Sequence, residues 1–430
     1  MPQIITWLNK PVKQALPLLF CFACYSTVAQ TDQLSLEEAY KLSQDNYPIA
    51  KQKGLIGQAE ELNLRNLNSA FLPQLSFNGQ ASYQSDVTKV DIALPGINMP
   101  SQTKDQYRAT ADINQMLYDG GLTREQKNIQ HLNSSVDQSG VEVELYSLKN
   151  RINQIYFNIL YQDELLKQNN LLLKDIQIGI DKIKPQVDNG TVLRSNLQIL
   201  QAQYLQTEQR AIEITNTRKG LIDALSLLID RPLSENIKLI TPQTVIEDSI
   251  INRPEIKLYE AQSRLISGQE KLITARNLPK ASAFLQGGYG RPGLNMLSNQ
   301  FDAFYITGLR LNWSLGGLYN SKRDKKLINI NRQKVELQKE SFVLNTQSAL
   351  KQQRAEINRY ADLVASDQAI IEIRSKITEA AKAQLENAVI TANDYLREVN
   401  AEDQARQAMA THKLQLLQAQ INFQITTGKL

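Results

Sequence analysis

Cysteine and histidine are nearly absent from this 430-residue sequence, which contains two of each. A structural zinc site or a disulfide scaffold therefore has almost nothing to be built from. Thirteen prolines and 19 glycines are too few for a collagen-like or low-complexity chain, and a hydrophobic share of 42% is too high for a disordered one. The net charge of +4 includes no strong basic patch of the kind that nucleic-acid binders carry, so we expect no nucleic-acid partner.

The N-terminal segment, residues 1–29, has the pattern of a secretory signal peptide. Two lysines precede an apolar core over 15–25, and small residues end at Ala29. This core of about eleven residues is too short to span a bilayer. Both cysteines, Cys21 and Cys24, lie inside the segment, and acylation of Cys24 is the alternative to cleavage after Ala29. In either case we expect an exported chain.

The remaining sequence is an internal duplication. An offset of 206 superposes prolines, serines, glutamines and tyrosines of two copies, and residues 95–99 (PGINM) recur as 292–296 (PGLNM) at an offset of 197. These matches predict a first repeat over 30–235, a linker over 236–250 and a second repeat over 251–430.

Each repeat contains two segments in which apolar and polar residues alternate with a period of two. From Leu75 to Tyr83, for example, every odd residue is apolar, small or aromatic and every even residue is polar. The alternation predicts four strands in two hairpins, over about 74–84, 106–117, 280–289 and 304–314. A four-stranded sheet has two open edges and cannot close on itself.

The alternation also assigns side chains to the two faces of this sheet. In lipid an open sheet edge is not tolerated, so if the hairpins lie in a membrane, several copies of the chain must share one barrel. We then expect the barrel lumen to be lined by polar residues, namely Arg108, Asp112, Asn114, Arg310 and Asn312. We expect lipid-facing or girdle positions at aromatic residues, namely Phe77, Tyr83, Tyr107, Tyr289, Tyr305 and Trp313.

The rest of the chain is rich in helix-forming residues. Between Val141 and Val187, twelve of fourteen positions taken in steps of four and three are apolar, which is typical of a coiled coil. The predicted helices cover about 36–70, 122–187, 193 onward, 322–385 and 391–427. A mean hydropathy of −0.36, without any run of about twenty apolar residues, excludes membrane-spanning helices after the leader but not residence in a membrane.

Other motifs carry little specific chemistry. Residues 287–290 (GGYG) lack the lysine and the following helix of a phosphate-binding loop, and no nucleophile-elbow or His-Glu metal motif occurs. We therefore expect neither an enzyme nor a cofactor or metal site. The densest basic run, Lys322–Lys326, indicates either a solvated helix start or a charged collar next to a membrane surface.

Several short motifs complete a recognisable pattern. Residues 117–121 (LYDGG) leave the second strand, 46–48 (NYP) and 252–254 (NRP) begin the two repeats, and 189–191 (NGT) precede a returning helix. With this pattern the duplicated chain resembles the TolC family of outer-membrane efflux proteins over essentially its whole mature length. Residues 313–317 (WSLGG) depart from the pattern, since this junction is two residues shorter than its counterpart.

The resemblance implies a mainly helical fold with a small β part. Three copies would form a homotrimer, in which twelve strands build one barrel in the outer membrane of a Gram-negative bacterium and the helices continue it as a tunnel through the periplasm. The implied function is a passive exit duct in a tripartite efflux or type I secretion system, loaded by an inner-membrane pump and a periplasmic adaptor (membrane fusion) protein. The alternative is a periplasmic coiled-coil adaptor or structural protein without a barrel, whose strands a second apolar layer would bury.

The resemblance also implies a gate at the periplasmic helix tips, where the family places acidic residues shortly after a glycine turn. The first turn is Asn189-Gly190, and aligning Gly190 with Ala388 makes Asn196 and Asp394 equivalent. The aperture candidates are Ser195, Asn196, Asp394, Arg397 and Glu398. Because Arg397 stands where a second acid is expected, a solvated helix face with local ion pairs is the competing interpretation.

Overall fold

The computed structural model describes residues 33–88, 102–244 and 250–430. The predicted signal peptide, the PGINM segment and residues 245–249 of the predicted linker lie outside the described residues. The described α-helices are α1 (Leu36–Asn46), α2 (Gln52–Asn68), α3 (Leu122–Asp188), α4 (Arg194–Ile229), α5 (Pro254–Arg276), α6 (Leu318–Glu386) and α7 (Ala392–Thr427). The described strands are β1 (Gln33–Leu34), β2 (Gln74–Tyr83), β3 (Asp105–Tyr118), β4 (Lys238–Leu239), β5 (Lys280–Arg291) and β6 (Asp302–Asn312). The fold is therefore mainly helical, as expected.

The single helix expected over residues 36–70 is wrong, because the structure contains two. α1 ends at Asn46, a short 3-10 helix covers Pro48–Lys51, and α2 follows. Pro48 lacks an amide hydrogen and disfavours helical backbone at the residue before it. Tyr47 accordingly adopts an extended conformation with φ −62° and ψ 134°.

The long helices form two antiparallel hairpins, α3–α4 and α6–α7. α3 contains 67 residues, about 100 Å at roughly 1.5 Å per residue. The helix ends at Asp188, one residue beyond the predicted end, and Pro185 lies in its last turn. Most of the predicted seam of α3 is buried against neighbouring helices, and its polar member Asn169 donates to the carbonyl oxygen of Thr207 at 3.0 Å. α3 packs against α2, α4, α5 and α7, whereas α6 packs mainly against α5 and α7.

The largest apolar core joins the N-terminal segment to the middle of the long helices. Strands β1 and β4 pair in parallel, and the buried Tyr156 hydroxyl of α3 donates to the carbonyl oxygens of Leu34 (2.8 Å) and Ile240 (2.7 Å). Ile152 and Ile222 pack in the same core. A second core lies where the two hairpins meet near their turns. These two cores hold both repeats together along the helical part.

The remaining strands form one antiparallel sheet in the order β2–β3–β5–β6. Each of the four expected strands is present, with bounds within about two residues of those predicted. The central pair β3–β5 joins the repeats, as in the pairing of Ala111 with Gly287, and an irregularity follows Met116. Within the described residues, the outer edges of β2 and β6 have no strand partner.

Candidate functional site

One face of the sheet is apolar and exposed. The register places Phe77 opposite Ala111, and Tyr305 opposite Gly287, so that the odd-numbered residues share this face. All six predicted lipid-facing or girdle side chains are exposed, from 44% for Tyr107 to 77% for Phe77 and Tyr83. Leu309 and Leu311 are exposed on the same face. Among the described residues, no apolar layer covers these side chains.

The opposite face of the sheet carries a polar network. The Asp112 carboxylate accepts hydrogen bonds from Asn78 (2.8 Å), from Thr110 (3.0 Å) and from Gln286. All five predicted lumen residues lie on this face, because Arg108, Asp112 and Asn114 pair with even-numbered residues of β5, and Arg310 and Asn312 do the same. The sheet therefore brings the predicted lumen set together.

Aromatic side chains also lie on this polar face, which the sequence reasoning missed. The Arg108 guanidinium lies 5.8 Å from the centre of the Phe304 ring, and that of Arg310 lies 4.9 Å from the centre of the Phe284 ring. Such cation–π contacts hold a guanidinium over a ring face. The even numbering of Phe284 and Phe304 within their strands was the signal that could have revealed them.

The two helix turns are equivalent in backbone geometry. Gly190 has φ +72° and Ala388 has φ +53°, so both adopt the left-handed conformation that closes a helix. A cavity of about 250 Å³ lies between the turns and is lined by Asn196 of the first and Thr391 of the second, among others. The structure thus brings the two turns side by side within one chain.

The aperture candidates of the second turn are engaged in local contacts. Thr391 and Asp394 form a capping box, in which the Asp394 carboxylate accepts from the Thr391 backbone N–H (3.2 Å) and hydroxyl (2.7 Å). These hydrogen bonds, with a smaller contribution from Arg397, hold the pKa of Asp394 below its usual range. Arg397 lies 3.7 Å from Asp394 and 3.0 Å from Glu398, which also pairs with Arg374 at 3.4 Å.

The candidates of the first turn have a different setting. Ser195 is exposed and Asn196 is half-buried in the first turn of α4. The cap residue of this helix is Leu193, which has no side chain that could accept from the free backbone N–H groups. Asn196 therefore occupies the position of Asp394 without its capping partner.

Contacts between the two hairpins were not foreseen from the sequence. The Lys182 ammonium lies 2.7 Å from the Glu386 carboxylate, and Gln186 donates to the carbonyl oxygen of Glu386 at 3.0 Å. The buried Tyr395 donates its hydroxyl to the carbonyl oxygen of Asp175 at 3.1 Å and packs against Gly179. Tyr395 lies one residue after a predicted aperture acid in an apolar stripe, which was the available signal.

A group of charged residues lies further from the turns. Burial raises the pKa of Asp403 to about 6, although Arg210 and a hydrogen bond from Gln407 oppose this effect. The neighbouring Glu402 is also buried and pairs with Arg406, whose Nε lies 3.0 Å away. The interface of α7 with α3 and α4 therefore contains a carboxyl group whose pKa is raised by burial.

The described residues contain neither a candidate metal site nor a candidate membrane-spanning helix. Over residues 33–88, 102–244 and 250–430, no cluster of three or more histidine, cysteine, aspartate or glutamate side chains has an arrangement that would hold a metal ion. None of the helices in these ranges combines the length and the apolar character needed to cross a membrane.

No protein-family model and no curated protein sequence matches the chain. Solved structures do. CusC, in crystal structures that concern folding and transmembrane channel formation, superposes with a TM-score of 0.67 at 14% identity over 97% of this chain and 98% of its own. The chain has the fold of an outer-membrane channel.

Two further structures show the same fold. The outer membrane protein VceC from Vibrio cholerae has a TM-score of 0.63 at 11% identity, covering 91% of this chain and 96% of its own. The open state of the MtrE outer membrane channel of Neisseria gonorrhoeae has a TM-score of 0.64 at 15% identity, covering 91% and 88%. The resemblance seen in the sequence is therefore confirmed as a likeness of fold, and this likeness extends over nearly the whole of this chain.

Proposed function

We propose that the chain is one subunit of a passive exit duct in the outer membrane of a Gram-negative bacterium. The observation that carries this proposal is the sheet, whose apolar face is exposed, whose opposite face is polar and whose two outer edges are unpaired within the described residues. Strands of 10 to 14 residues match the length needed to cross a bilayer at a tilt. A lipid-facing exterior would account for the apolar face, and a water-filled interior would account for the polar face.

The open edges require further copies of the chain. Unpaired backbone groups cost several kcal/mol each in hydrocarbon, so β2 and β6 must each pair with a strand of another copy. Three copies with four strands each would close a twelve-stranded barrel, the size that the resemblance implies and one that outer-membrane barrels adopt. A head-to-tail interface of this kind closes into a ring when its rotation matches the number of copies.

The helices offer matching surfaces for this ring. On α6, the exposed side chains of Ile330, Leu337 and Leu344 recur every seven residues, which is the repeat of a coiled-coil seam. Exposed pairs with the same spacing occur on the helices that pack against α3, namely Leu55 and Leu62 on α2 and Leu205 and Ile212 on α4. The α2 pair lies at the height of the α6 stripe, because Lys53 of α2 contacts Glu142 near the start of α3, so we propose that the α6 stripe of one copy packs against α2 of the next.

The proposed duct is gated at the two helix turns. In the closed state the hairpins are held together by the Lys182–Glu386 ion pair and by Tyr395, and the three copies bring their Asp394 side chains toward a common axis. Carboxylates gathered on such an axis repel one another, so their separation favours opening. An inner-membrane pump and a periplasmic adaptor would load the substrate and supply the energy.

The alternative, a coiled-coil adaptor or structural protein without a barrel, is less well supported. Its strands would be covered by a second apolar layer, yet Phe77, Leu309 and Leu311 lie exposed. A large exposed apolar surface marks a site of contact with a membrane or with another protein.

The decisive experiment separates membranes from soluble proteins and measures particle mass in detergent. The proposal requires a trimer in the outer membrane, and a soluble periplasmic monomer would contradict it. Leu337→Lys should abolish the trimer, because it places a charge in the proposed seam, whereas Gln338→Lys on the adjacent exposed position should leave it intact. Equal assembly of both variants would refute the packing of α6 against the next copy.

The gate has its own test. The double substitution Asp394→Asn and Arg397→Gln should raise ion conductance in planar bilayers, because it removes charged side chains from the proposed aperture. Glu372→Gln with Lys376→Gln, an exposed pair on α6 with the same change in charge, is the control. Unchanged conductance in the first variant would remove these residues from the gate.

A further inference from the structure

The strands of the sheet join the helices at one end of the sheet. β2 and β5 begin there and β3 and β6 end there, since Gln74 pairs with Asn114 and Lys280 pairs with Asn312. Large apolar and aromatic side chains are exposed around this junction, namely Leu72, Leu117, Tyr118, Leu278, Trp313, Leu315 and Tyr319. Aromatic and apolar residues at such a level are typical of the boundary between hydrocarbon and lipid headgroups.

Exposed cations follow directly on the helical side of this collar. Arg276 is the last residue of α5, and Lys322 and Lys326 lie in the first three turns of α6. Lys322 and Lys326 share one face of α6 with Tyr319, which is 82% exposed, because these positions are three and four residues apart. We call Arg276, Lys322 and Lys326 the basic belt.

The belt is next to the apolar face of the sheet. The Trp313 indole, which continues the alternation of that face, donates to the carbonyl oxygen of Asn277 at 3.0 Å, and Asn277 directly follows Arg276. α5 and α6 are also joined at this level, where Lys325 lies 3.8 Å from Glu270. The belt residues therefore come from two adjoining helix ends that are tied to the apolar face.

Contacts within the chain do not explain the belt. No described acidic side chain pairs with Arg276, Lys322 or Lys326, although other cations nearby, such as Arg65 and Lys325, have carboxylate partners. The first turn of α6 contains no acidic residue. Lys322 and Lys326 lie beyond the first turn of α6, where the helix dipole no longer acts, whereas Arg276 in the last turn of α5 is favoured by the dipole of that helix.

If the apolar collar marks the hydrocarbon boundary, the side chains of the belt reach the layer of lipid phosphates. At about 1.5 Å per residue, Lys322 lies about 6 Å and Lys326 about 12 Å beyond Leu318. Headgroups extend roughly 5 to 8 Å beyond the hydrocarbon on each side, and long basic side chains reach toward them. The depth and positive charge of the belt, together with the neighbouring apolar collar, fit a lipid with a negatively charged headgroup.

We infer that the basic belt binds the phosphate groups of anionic phospholipids in the periplasmic leaflet of the outer membrane. This inference rests on the proposed membrane location. The basic run Lys322–Lys326 had two interpretations, a solvated helix start and a charged collar next to a membrane surface. This inference selects the second. The belt fixes how deep the barrel sits, because the apolar collar remains in hydrocarbon while the cations remain among the headgroups.

The test uses the purified full-length protein in detergent and titrates it with phosphatidylglycerol, with bound lipids counted by native mass spectrometry. The variant carries Arg276→Gln, Lys322→Gln and Lys326→Gln. The matched control carries Lys174→Gln, Lys184→Gln and Lys376→Gln, three exposed lysines on α3 and α6 that lie toward the other end of the molecule. Both variants lose three positive charges.

The expected result is a loss of phosphatidylglycerol binding in the belt variant only. Each exposed Lys or Arg near an anionic lipid surface contributes about a fivefold factor, so three substitutions should weaken binding by roughly 100-fold. Phosphatidylcholine with the same acyl chains should bind equally weakly to all three proteins. Inorganic phosphate should not displace phosphatidylglycerol, because the acyl chains contribute to binding at the collar.

Equal binding of phosphatidylglycerol by the wild-type chain and the belt variant would overturn the inference, as would an equal loss in the control. If the belt variant does not assemble, the wild-type titration decides, since equal affinity for phosphatidylglycerol and phosphatidylcholine would also overturn it. Failure of the proposed function has a different signature, namely a wild-type chain that is absent from the outer membrane.

Discussion

The two helical hairpins solve the same geometric problem with different residues. At the first turn, Gly190 adopts the left-handed conformation without steric cost, but the cap residue of α4, Leu193, offers no side-chain cap. At the second turn, Ala388 adopts that conformation with a Cβ in place, while Thr391 and Asp394 cap α7. One turn is relaxed and uncapped, and the other is strained and capped.

The two halves of the proposed gate therefore derive their stability from different interactions, the first from an unstrained turn and the second from a capped helix. At the contact between the hairpins, the first contributes Gly179 and the second contributes Tyr395, which packs against it, and Asp403, whose carboxyl interacts electrostatically with Arg210 of the first. The two turns therefore share a backbone path but differ in the side chains that cap the helices following them. Substitutions at the two turns and at the contact between the hairpins test this asymmetry.

Tyr395→Ala should loosen the contact between the hairpins more than the equivalent change in the first repeat. Removing a fully buried aromatic side chain costs about 3 to 5 kcal/mol. Leu197→Ala, 198 residues earlier, removes a half-buried side chain and should cost less. Hydrogen–deuterium exchange across residues 172–200 measures both effects, and equal exchange in the two variants would contradict the asymmetry.

Asp403→Asn should remove a pH dependence that the second hairpin brings to the interface. Because folding raises the pKa of this carboxyl from 3.8 to about 6, the folded state binds an extra proton between these values. Its stability is therefore greatest in acid and falls as the pH rises through 6. A shift of this size corresponds to at most about 3 kcal/mol, and because screening by solvent reduces this value, the variant should be roughly 2 kcal/mol more stable at pH 7.5 and nearly unchanged at pH 4.

Thermal unfolding of the detergent-solubilised protein, followed by circular dichroism at pH 4 and pH 7.5, checks this prediction. Asp362→Asn, which removes an exposed carboxyl on α6, is the control and should change neither value. A difference between wild type and Asp403→Asn that is the same at both pH values would contradict titration of Asp403.

Thr391→Ala should destabilise the start of α7 by about 1 kcal/mol, because it removes the capping hydroxyl. The converse change, Leu193→Thr with Asn196→Asp, installs the same box on α4 and should stabilise that helix by a similar amount. Exchange of the amide hydrogens in the first turns of α4 and α7 reports each effect locally. Slower amide exchange in the first turn of α7 in the Thr391→Ala variant would show that the cap is not formed.

The smallest effects are expected from exchanging the two turn residues. Ala388→Gly should stabilise the second turn and Gly190→Ala should destabilise the first, each by roughly 1 kcal/mol, since only glycine avoids the left-handed steric cost. Opposite signs in urea unfolding would confirm that one turn is strained and the other relaxed. Two changes of the same sign would contradict this.

Much of the fold was predictable from local patterns. Alternation located β2, β3, β5 and β6 to within about two residues, and the seam of α3 was visible as a heptad repeat. The break at Pro48 was missed because the residues on both sides have a high helix propensity, whereas proline disfavours helical backbone only at the residue before it, Tyr47. The sheet faces of Phe77 and Asp112 followed from odd and even numbering alone.

The candidate gate was less predictable. The alignment of Gly190 with Ala388 located the turns, but it did not reveal that Asp394 caps its own helix. Whether these residues line an aperture stays a prediction. Capping depends on the cap backbone and on the side-chain rotamer, neither of which is encoded in residue spacing.

The sequence predicted a duplication, the type of most elements and the face of the sheet on which most side chains lie, because periodicity reports local geometry. Only the tertiary structure decided which elements meet. The pairing of β3 with β5, the Lys182–Glu386 ion pair and the burial of Asp403 each join residues far apart in the chain. Periodicity shows that a face must be covered, but packing of the whole chain selects what covers it.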